Sequence, residues 1–430
     1  MKVAFNTLGC KVNSYETEAL IEKFEQANYQ IVDFNKTSDV YVINSCMVTN
    51  TGERKSKKII KRPIKNNPNA IVIVMGCLTQ LKADEILNID GVKIVVGTKN
   101  RGRIVEYLEE YLKNKQKLNK VTKLENNESY DNLFISDFKG HTRAFLKIQD
   151  GCNNFCSYCI IPYTRGRIRS KAPEKVILEA KKLVDSGHIE IVLTGIHTGG
   201  YGEDLNDYSF ARLLEDLDKI EGLKRIRISS IEITELTDEV ISIIRKSNKI
   251  VNHIHIPLQG GNDRILKSMN RKYTTKEYLD IINKLRDNIE DLAVTTDIIV
   301  GFPGETDKDF EEALEFIKKV DFQELHVFPF SSRAGTVAAK MKNQVNGVIK
   351  KERVHKLLDL SEKLKTNHIK NQVGKIHRLI PEQIKDGYLQ GHTRDYILVK
   401  VKEDASLIGK EIHIKITEFN DTGCFGEMVD

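Results

Sequence analysis

This sequence predicts an α/β protein in three parts, on three observations. Over residues 1–113, short apolar runs alternate with helix-period stretches. The same alternation resumes over residues 138–368. From residue 371 to 430 it gives way to short β-like runs separated by Gly and Asp turns. The first block argues an N-terminal parallel sheet with covering helices. The second holds six strand–helix units and argues a central partial or full β/α barrel. The third argues a small C-terminal β-barrel. Residues 114–137 are polar, lack periodicity and read as a linker.

A chain of 430 residues accommodates two or three such domains, and its 40% hydrophobic content suffices for several cores. The net charge of +6 is compatible with an anionic partner but does not demand one. Seven cysteines are too few for a secreted disulfide scaffold. No apolar run approaches membrane-span length, and Met1 to Phe5 runs straight into a strand pattern without a signal peptide's apolar region. The chain therefore reads as cytoplasmic, with no membrane partner.

Chemistry concentrates between Asp150 and Gly166. Cys152, Cys156 and Cys159 follow the spacing C-x3-C-x2-C, with Tyr158 just before the last thiol. A fully protein-held 4Fe–4S cluster takes four thiolates, so three leave one iron open to another ligand. A zinc knuckle would need a fourth ligand, usually from a second C-x2-C pair. None is near, and His141 and His188 are badly spaced for it.

In the first block, Cys10, Cys46 and Cys77 each follow the carboxyl end of an expected strand, at Val3 to Leu8, Val40 to Ile43 and Ile71 to Met75. Ligands gather at that edge of an open α/β sheet. Three thiols in one structural slot read as a second three-cysteine cluster site, the bland alternative being small buried core cysteines. Between them, Arg54 to Lys65 holds seven Lys or Arg. It is either a solvated helix face or a phosphate contact, and Pro63 ends or kinks the helix.

The string from Cys152 to Gly166 resembles the signature of the radical S-adenosylmethionine enzymes, and its Ile161 to Gly166 part is similar to their methylthiotransferase subfamily. Thr7 to Thr17 and Asn44 to Thr49 resemble that subfamily's N-terminal domain, Met47 being a mild departure. Lys11-Val12-Asn13 followed by Tyr15-Glu16, together with His197, is closest to the branch acting on threonylcarbamoyladenosine in tRNA. Leu193 to His197, Asp297 to Thr306 and Ser331 to Thr336 also match the subfamily. The tail resembles the TRAM domain that ends these enzymes and binds RNA. It is a departure that this tail carries eight Lys or Arg against ten Asp or Glu, so RNA contact would rest on a few residues such as Arg378 and Arg394, with Tyr388 or Tyr396 stacking. Cys424 reads as structural. Residues Ala338 to Lys370 are helical and basic, either a connecting helix or a tRNA-facing surface.

The resemblance implies two 4Fe–4S clusters, S-adenosylmethionine and tRNA. The Cys152 cluster would bind S-adenosylmethionine and cleave it to a 5′-deoxyadenosyl radical. The Cys10/Cys46/Cys77 cluster would hold the sulfur, and a second S-adenosylmethionine would supply the methyl group. Loop residues Tyr158, Gly195, Ser230, Glu232, Gln259 and Arg333 are the candidate cofactor contacts, with Ser229 beside them. The expected reaction is methylthiolation at C2 of N6-threonylcarbamoyladenosine in the anticodon stem-loop. It would draw on an electron donor and a sulfur source that the sequence does not identify. The alternatives are isopentenyladenosine in tRNA, a ribosomal-protein aspartate, or a non-catalytic RNA-binding protein with structural metal.

Overall fold

The computed structural model describes residues 1–125, 129–402 and 404–429. Six strands open the fold: β1 (Lys2–Thr7), β2 (Gln30–Val32), β3 (Val40–Ser45), β4 (Ile71–Gly76), β5 (Val92–Val96) and β6 (Leu118–Lys120). They form one parallel sheet in the order β2-β1-β3-β4-β5-β6. Every residue of β3 and β4 is buried, which is why their Val/Ile runs show no polar alternation. Helices α1 (Lys11–Gln26), α2 (Asn50–Ile60), α3 (Arg62–Asn66), α4 (Cys77–Leu87) and α5 (Ile104–Asn114) connect the strands. Pro63 stands in the first turn of α3, so the basic segment breaks into two helices there.

The polar stretch after residue 113 is no free tether. Leu118–Lys120 add β6 to the sheet, pairing with Ile94–Val96. Tyr130, Leu133, Ile135 and Phe138 are buried, and the last three join the apolar core shared with the central domain. Asn126 to Glu128 of that stretch lie outside the described residues.

The central domain supplies β7 (Arg143–Lys147), the short pair β8 (Gln149–Asp150) and β9 (Arg169–Ser170), helix α6 (Ile161–Arg165) between that pair, then β10 (Glu190–Thr194), β11 (Arg225–Ile228), β12 (His253–His255), β13 (Ala293–Val300) and β14 (Glu324–Pro329). Strands β7, β10 and β11 pair in parallel, as do β12, β13 and β14. A single parallel bridge, Ile226 to Ile250, joins the two halves. The six strands thus run in sequence order as a partial barrel. Among the described residues no ladder joins β7 to β14. Helix α1 of the first domain lies against β7, and the helix Gly347–Lys370 lies against β14, where Ser361 Oγ accepts the Leu325 N–H at 2.9 Å.

Alternation along the strands sorts the two faces of this curl. Ala144, Leu146, Ile191, Leu193, Ile226 and Ile228 pack outward under the helices. Arg143, Lys147, Glu190, Arg227, His253, His255 and Asp297 alternate with the outward residues and line the opposite, inner face, which is strongly polar.

The C-terminal strands β15 (Ile376–Lys385), β16 (Tyr388–Thr393), β17 (Leu398–Val401), β18 (Ile412–Asn420) and β19 (Gly423–Met428) close a barrel in the order β15-β16-β17-β19-β18. Cys424 is buried in its core, as a structural residue would be. The barrel docks at the amino ends of β10 and β11. There the fully buried Arg225 donates to Glu411 at 2.7 Å, to His392 O at 3.0 Å and to Arg378 O at 2.8 Å. No helix among the described residues is long and apolar enough to cross a membrane.

Candidate active site

The first cysteine set assembles because β1, β3 and β4 are neighbours in a parallel sheet, so their carboxyl ends lie side by side. Gly9 turns with φ +115°, and a Cβ there would stand 3.1 Å from Cys46 Cβ. Gly76 turns with φ +106°, and a Cβ there would meet Ser45 O at 2.6 Å. Both positions need glycine for the turn and for the close approach of the next loop. Cys46 is pinned by Ser56 of α2, whose hydroxyl accepts the Cys46 N–H at 3.0 Å and donates to its carbonyl at 2.9 Å. Asn13 completes the junction. Its amide donates to Leu8 O at 2.7 Å, and its Oδ1 lies 3.7 Å from Cys10 Sγ.

The second set lies on the loop between β8 and β9, whose pairing clamps the loop's two ends. Gly151 has φ +76°, and a Cβ there would stand 1.8 Å from Arg167 O. Cys152 N–H donates to Gly166 O at 3.0 Å, and Cys159 N–H to Cys156 O at 3.0 Å. Ser157 ties the loop to the end of the helix Asp263–Ser268 through Met269 O at 2.9 Å and Ser268 O at 2.8 Å. Gly151→Ala should therefore open the loop and lower bound iron to about half the wild-type content, measured by iron and sulfide determination after anaerobic reconstitution.

All six cysteines carry free thiols, which fits their candidate role as cluster ligands. One side chain reaches from the second set's loop to the first set. Arg165 closes α6, six residues beyond Cys159, and reaches into the first domain. Its Nε lies 3.4 Å from Cys77 Sγ, and one terminal nitrogen donates to Asn13 Oδ1 at 2.8 Å. The other donates to Glu16 at 2.8 Å and Asp150 at 3.1 Å. Lys147 bonds the same two carboxylates at 2.8 and 2.6 Å, and Arg101 pairs with both. These five charged groups are almost wholly buried. Burial alone would raise the Glu16 pKa, but Arg101, Arg165 and Lys147 outweigh it and hold the carboxyl well below the usual range.

The candidate cofactor residues fall into two groups. Tyr158, Gly195, Ser230, Glu232 and Gln259 lie on the cysteine loop or on loops beyond the carboxyl ends of β10, β11 and β12. Glu232 pairs with Arg271, whose other terminal nitrogen donates to Cys156 Sγ at 3.3 Å. Gly195 packs on Gln149, where a Cβ would meet Oε1 at 2.9 Å. Ser229 Oγ lies 3.3 Å from Thr198 Oγ1. Gln259 takes φ +64°, and its N–H donates to Asp297 O at 2.8 Å. Arg333 stands apart. It is buried and donates to Glu53 at 2.6 Å and Asn50 at 2.5 Å, so in this structure it ties the central domain to α2.

Two of the residues expected at an RNA surface are engaged elsewhere. Arg394 donates to Asn248 O at 3.0 Å and Ile250 O at 2.6 Å, holding the C-terminal barrel to the central domain. Tyr396 stacks on His253 at 5.1 Å and His392 at 4.5 Å, with Arg227 over its ring at 4.8 Å. It faces the floor of the curl. Arg378 is partly exposed and 3.7 Å from Glu411, while Tyr388 packs edge-on against Phe425 at 5.4 Å. Arg271 escaped the sequence reading, and Asn13, Glu16 and Arg165 entered it only as motif residues, without the contacts that join them. Only the nearness of Asp150 and Arg165 to the cysteines hinted at them.

Comparison with known proteins bears on this geometry. A radical SAM superfamily model matches residues 146–317, and the model described as uncharacterized protein family UPF0004 matches residues 2–97. The chain is 50% identical over 96% of its length, and 93% of the relative's, to the threonylcarbamoyladenosine tRNA methylthiotransferase MtaB of Bacillus subtilis. The chain belongs to the radical S-adenosylmethionine methylthiotransferases. Membership makes it an enzyme that transfers a methylthio group, of a family that uses S-adenosylmethionine and a 4Fe–4S cluster. A methylthiotransferase of the same name from Aquifex aeolicus is 39% identical over 97% of this chain and all of its own. The tRNA-2-methylthio-N(6)-dimethylallyladenosine synthase of Thermoanaerobacter pseudethanolicus is 39% identical over 99% of this chain and 92% of its own. Among solved structures, the radical S-adenosylmethionine methyltransferase TsrM of Kitasatospora setae shares the fold, with a TM-score of 0.59 at 11% identity over 79% of this chain and 74% of its own.

Proposed function

We propose that this methylthiotransferase installs the 2-methylthio group on N6-threonylcarbamoyladenosine of the tRNA anticodon stem-loop, in the cytoplasm. The observation that carries the reading is Arg165. It is hydrogen-bonded to the first domain's cysteine site while standing in the same short loop as the second. Two three-thiol sites set this close suit a reaction in which a radical made at one is used beside the other.

Cys152, Cys156 and Cys159 would hold one 4Fe–4S cluster, and Cys10, Cys46 and Cys77 a second. When bound, the first supplies reductive cleavage of S-adenosylmethionine and the second a site for the sulfur to be transferred. The protein's own groups position these parts. Tyr158 of the cysteine loop and Gly195, Ser230, Glu232 and Gln259, on loops beyond the carboxyl ends of β10, β11 and β12, would meet a nucleoside cofactor. Arg271 donates to Cys156 Sγ, and Arg165 approaches Cys77 Sγ, each placing positive charge beside a thiolate. An electron donor and a sulfur source act from outside the chain. The exposed cations of α2 and α3, among them Arg54, Lys58 and Arg62, are placed to meet phosphates.

The 50% identity to an enzyme named for threonylcarbamoyladenosine, against 39% to one named for dimethylallyladenosine, favours the threonylcarbamoyl substrate. Digesting tRNA from cells that lack this protein, and measuring nucleosides by mass spectrometry, tests it. The 2-methylthio-N6-threonylcarbamoyl nucleoside should vanish while its unthiolated precursor accumulates. Its persistence in a strain with no second enzyme of this kind would sink the assignment.

A further inference from the structure

The inner face of the central curl is crowded with cations, and nearly all are neutralised. Arg143 bonds Glu382 at 3.3 Å, Arg225 bonds Glu411 at 2.7 Å and Arg227 bonds Glu190 at 2.9 Å. Lys11 differs. It is exposed, and among the described residues it has no hydrogen bond or ion pair. Its ammonium nonetheless lies within electrostatic reach of Arg143 on β7, Arg227 on β11 and Asp297 on β13, and acts in turn on His326 of β14. These groups stand on strands from both sides of the open seam, and α1, which begins at Lys11, lies against β7 at that seam. Lys11 also occupies the first position of a sixteen-residue helix whose first turn holds no acid, where a cation opposes the helix dipole. A cation with no direct partner among the described residues thus stands next to Cys10 in the chain. Across from it, Asp297 is braced by His255 Nε2 and His326 Nδ1, both at 3.3 Å.

The substrate's chemistry matches this corner. C2 and the N6 substituent of adenine lie on the same Watson–Crick edge. A base whose C2 faces the Cys10/Cys46/Cys77 site therefore lays its N6 arm alongside that site. The threonylcarbamoyl arm ends in a carboxylate and a hydroxyl, whereas an isopentenyl arm carries neither. Resting on the substrate reading above, we propose that Lys11 binds the carboxylate of the threonylcarbamoyl arm while Asp297, held by its two histidines, accepts a hydrogen bond from the arm's hydroxyl. This corner then determines which modified adenosine is accepted. A site built around a charged partner rejects the analogue lacking it far more strongly than an apolar pocket rejects a missing methylene.

The test uses the full chain reconstituted with iron and sulfide, and variants compared at equal iron content. Binding is measured by fluorescence anisotropy for two anticodon stem-loop RNAs. One bears threonylcarbamoyladenosine, and the other is the same RNA with the arm's carboxylate converted to a carboxamide. Wild type should prefer the acid by about 10–100-fold, the loss expected for a charged hydrogen-bond partner. Lys11→Met should bind the two RNAs alike, and Lys11→Arg should restore part of the preference. A Lys11→Met protein that keeps the wild-type preference overturns the assignment. So does a wild type that methylthiolates the threonylcarbamoyl RNA yet does not distinguish acid from amide, and that result leaves the substrate reading standing. A wild type that accepts only isopentenyladenosine RNA overturns both.

Discussion

Replacing Cys46 by Ala should leave a protein that still forms 5′-deoxyadenosine from S-adenosylmethionine but makes no methylthio nucleoside. Replacing Cys156 by Ala should abolish both products. The split follows from where the thiols stand. Cys46 follows β3 in the first domain, and its backbone N–H and carbonyl are both held by Ser56, so removing the sulfur leaves the loop in place. Cys156 sits in the loop clamped by β8 and β9, with Arg271 and Glu232 beside it. Loss of a ligand should cost more than the about 10–100-fold that follows loss of a ligand's hydrogen-bond partner. Product formation in Cys46→Ala should therefore fall below about 1% of wild type. Liquid chromatography with mass spectrometry of both products, with iron content measured in parallel, checks it. About eight irons per wild-type chain and about four in each variant are expected, since each 4Fe–4S cluster brings four. Methylthio product from Cys46→Ala would show that the first-domain thiols do not hold the sulfur-bearing site.

Much of the fold and of the placement of the thiols is legible in the sequence, and the reason is local. Each of the six cysteines follows a strand or lies in one tight loop, so its slot can be read from a few neighbouring residues. The buried strands β3 and β4 are plain for the same reason, because unbroken Val/Ile runs have few alternatives. Other features were hidden. Strand β6 is three residues at the sheet edge, the middle one exposed, embedded in a polar stretch, and it exists only because β5 offers it a partner. Strand β12 carries histidines on its inner face and pairs regularly over only three residues, which leaves little apolar pattern to announce it. Strand β19 contains Gly423 and Gly426, and its sequence lacks the apolar–polar alternation that its burial follows; closure of the barrel makes it a strand. Arg394 and Tyr396 look like RNA contacts in isolation, yet docking of the tail onto the central domain claims both. Glu16, Arg101, Lys147, Asp150 and Arg165 are scattered over some 150 positions, and no local pattern announces their meeting.

That network is where Glu16→Gln should act. Gln keeps the shape of the side chain but removes its charge, leaving Arg101, Lys147 and Arg165 against Asp150, with Asp131 3.4 Å from Arg101. Removing one partner from a buried ion cluster costs about 3–5 kcal/mol, because the remaining charges stay desolvated. Asp280→Asn breaks an exposed pair with Lys276 at 2.6 Å and should change stability by less than about 0.5 kcal/mol, which makes it the control. The pH dependence has a definite sign. The Glu16 carboxyl is held below its ordinary value in the folded chain, so its contribution is present above the unfolded pKa of about 4 and is lost only as pH falls below it. Wild type and Glu16→Gln should therefore differ fully in melting temperature from pH 6 to 8 and converge in acid. Arg165 also links the two cysteine sites, so the loss should reach the chemistry even where the fold survives. At a temperature where Glu16→Gln remains folded and fully loaded with iron, more 5′-deoxyadenosine should form per methylthio nucleoside than in wild type. A stability loss with an unchanged product ratio would mean that the network holds the domains together without setting the two sites relative to each other.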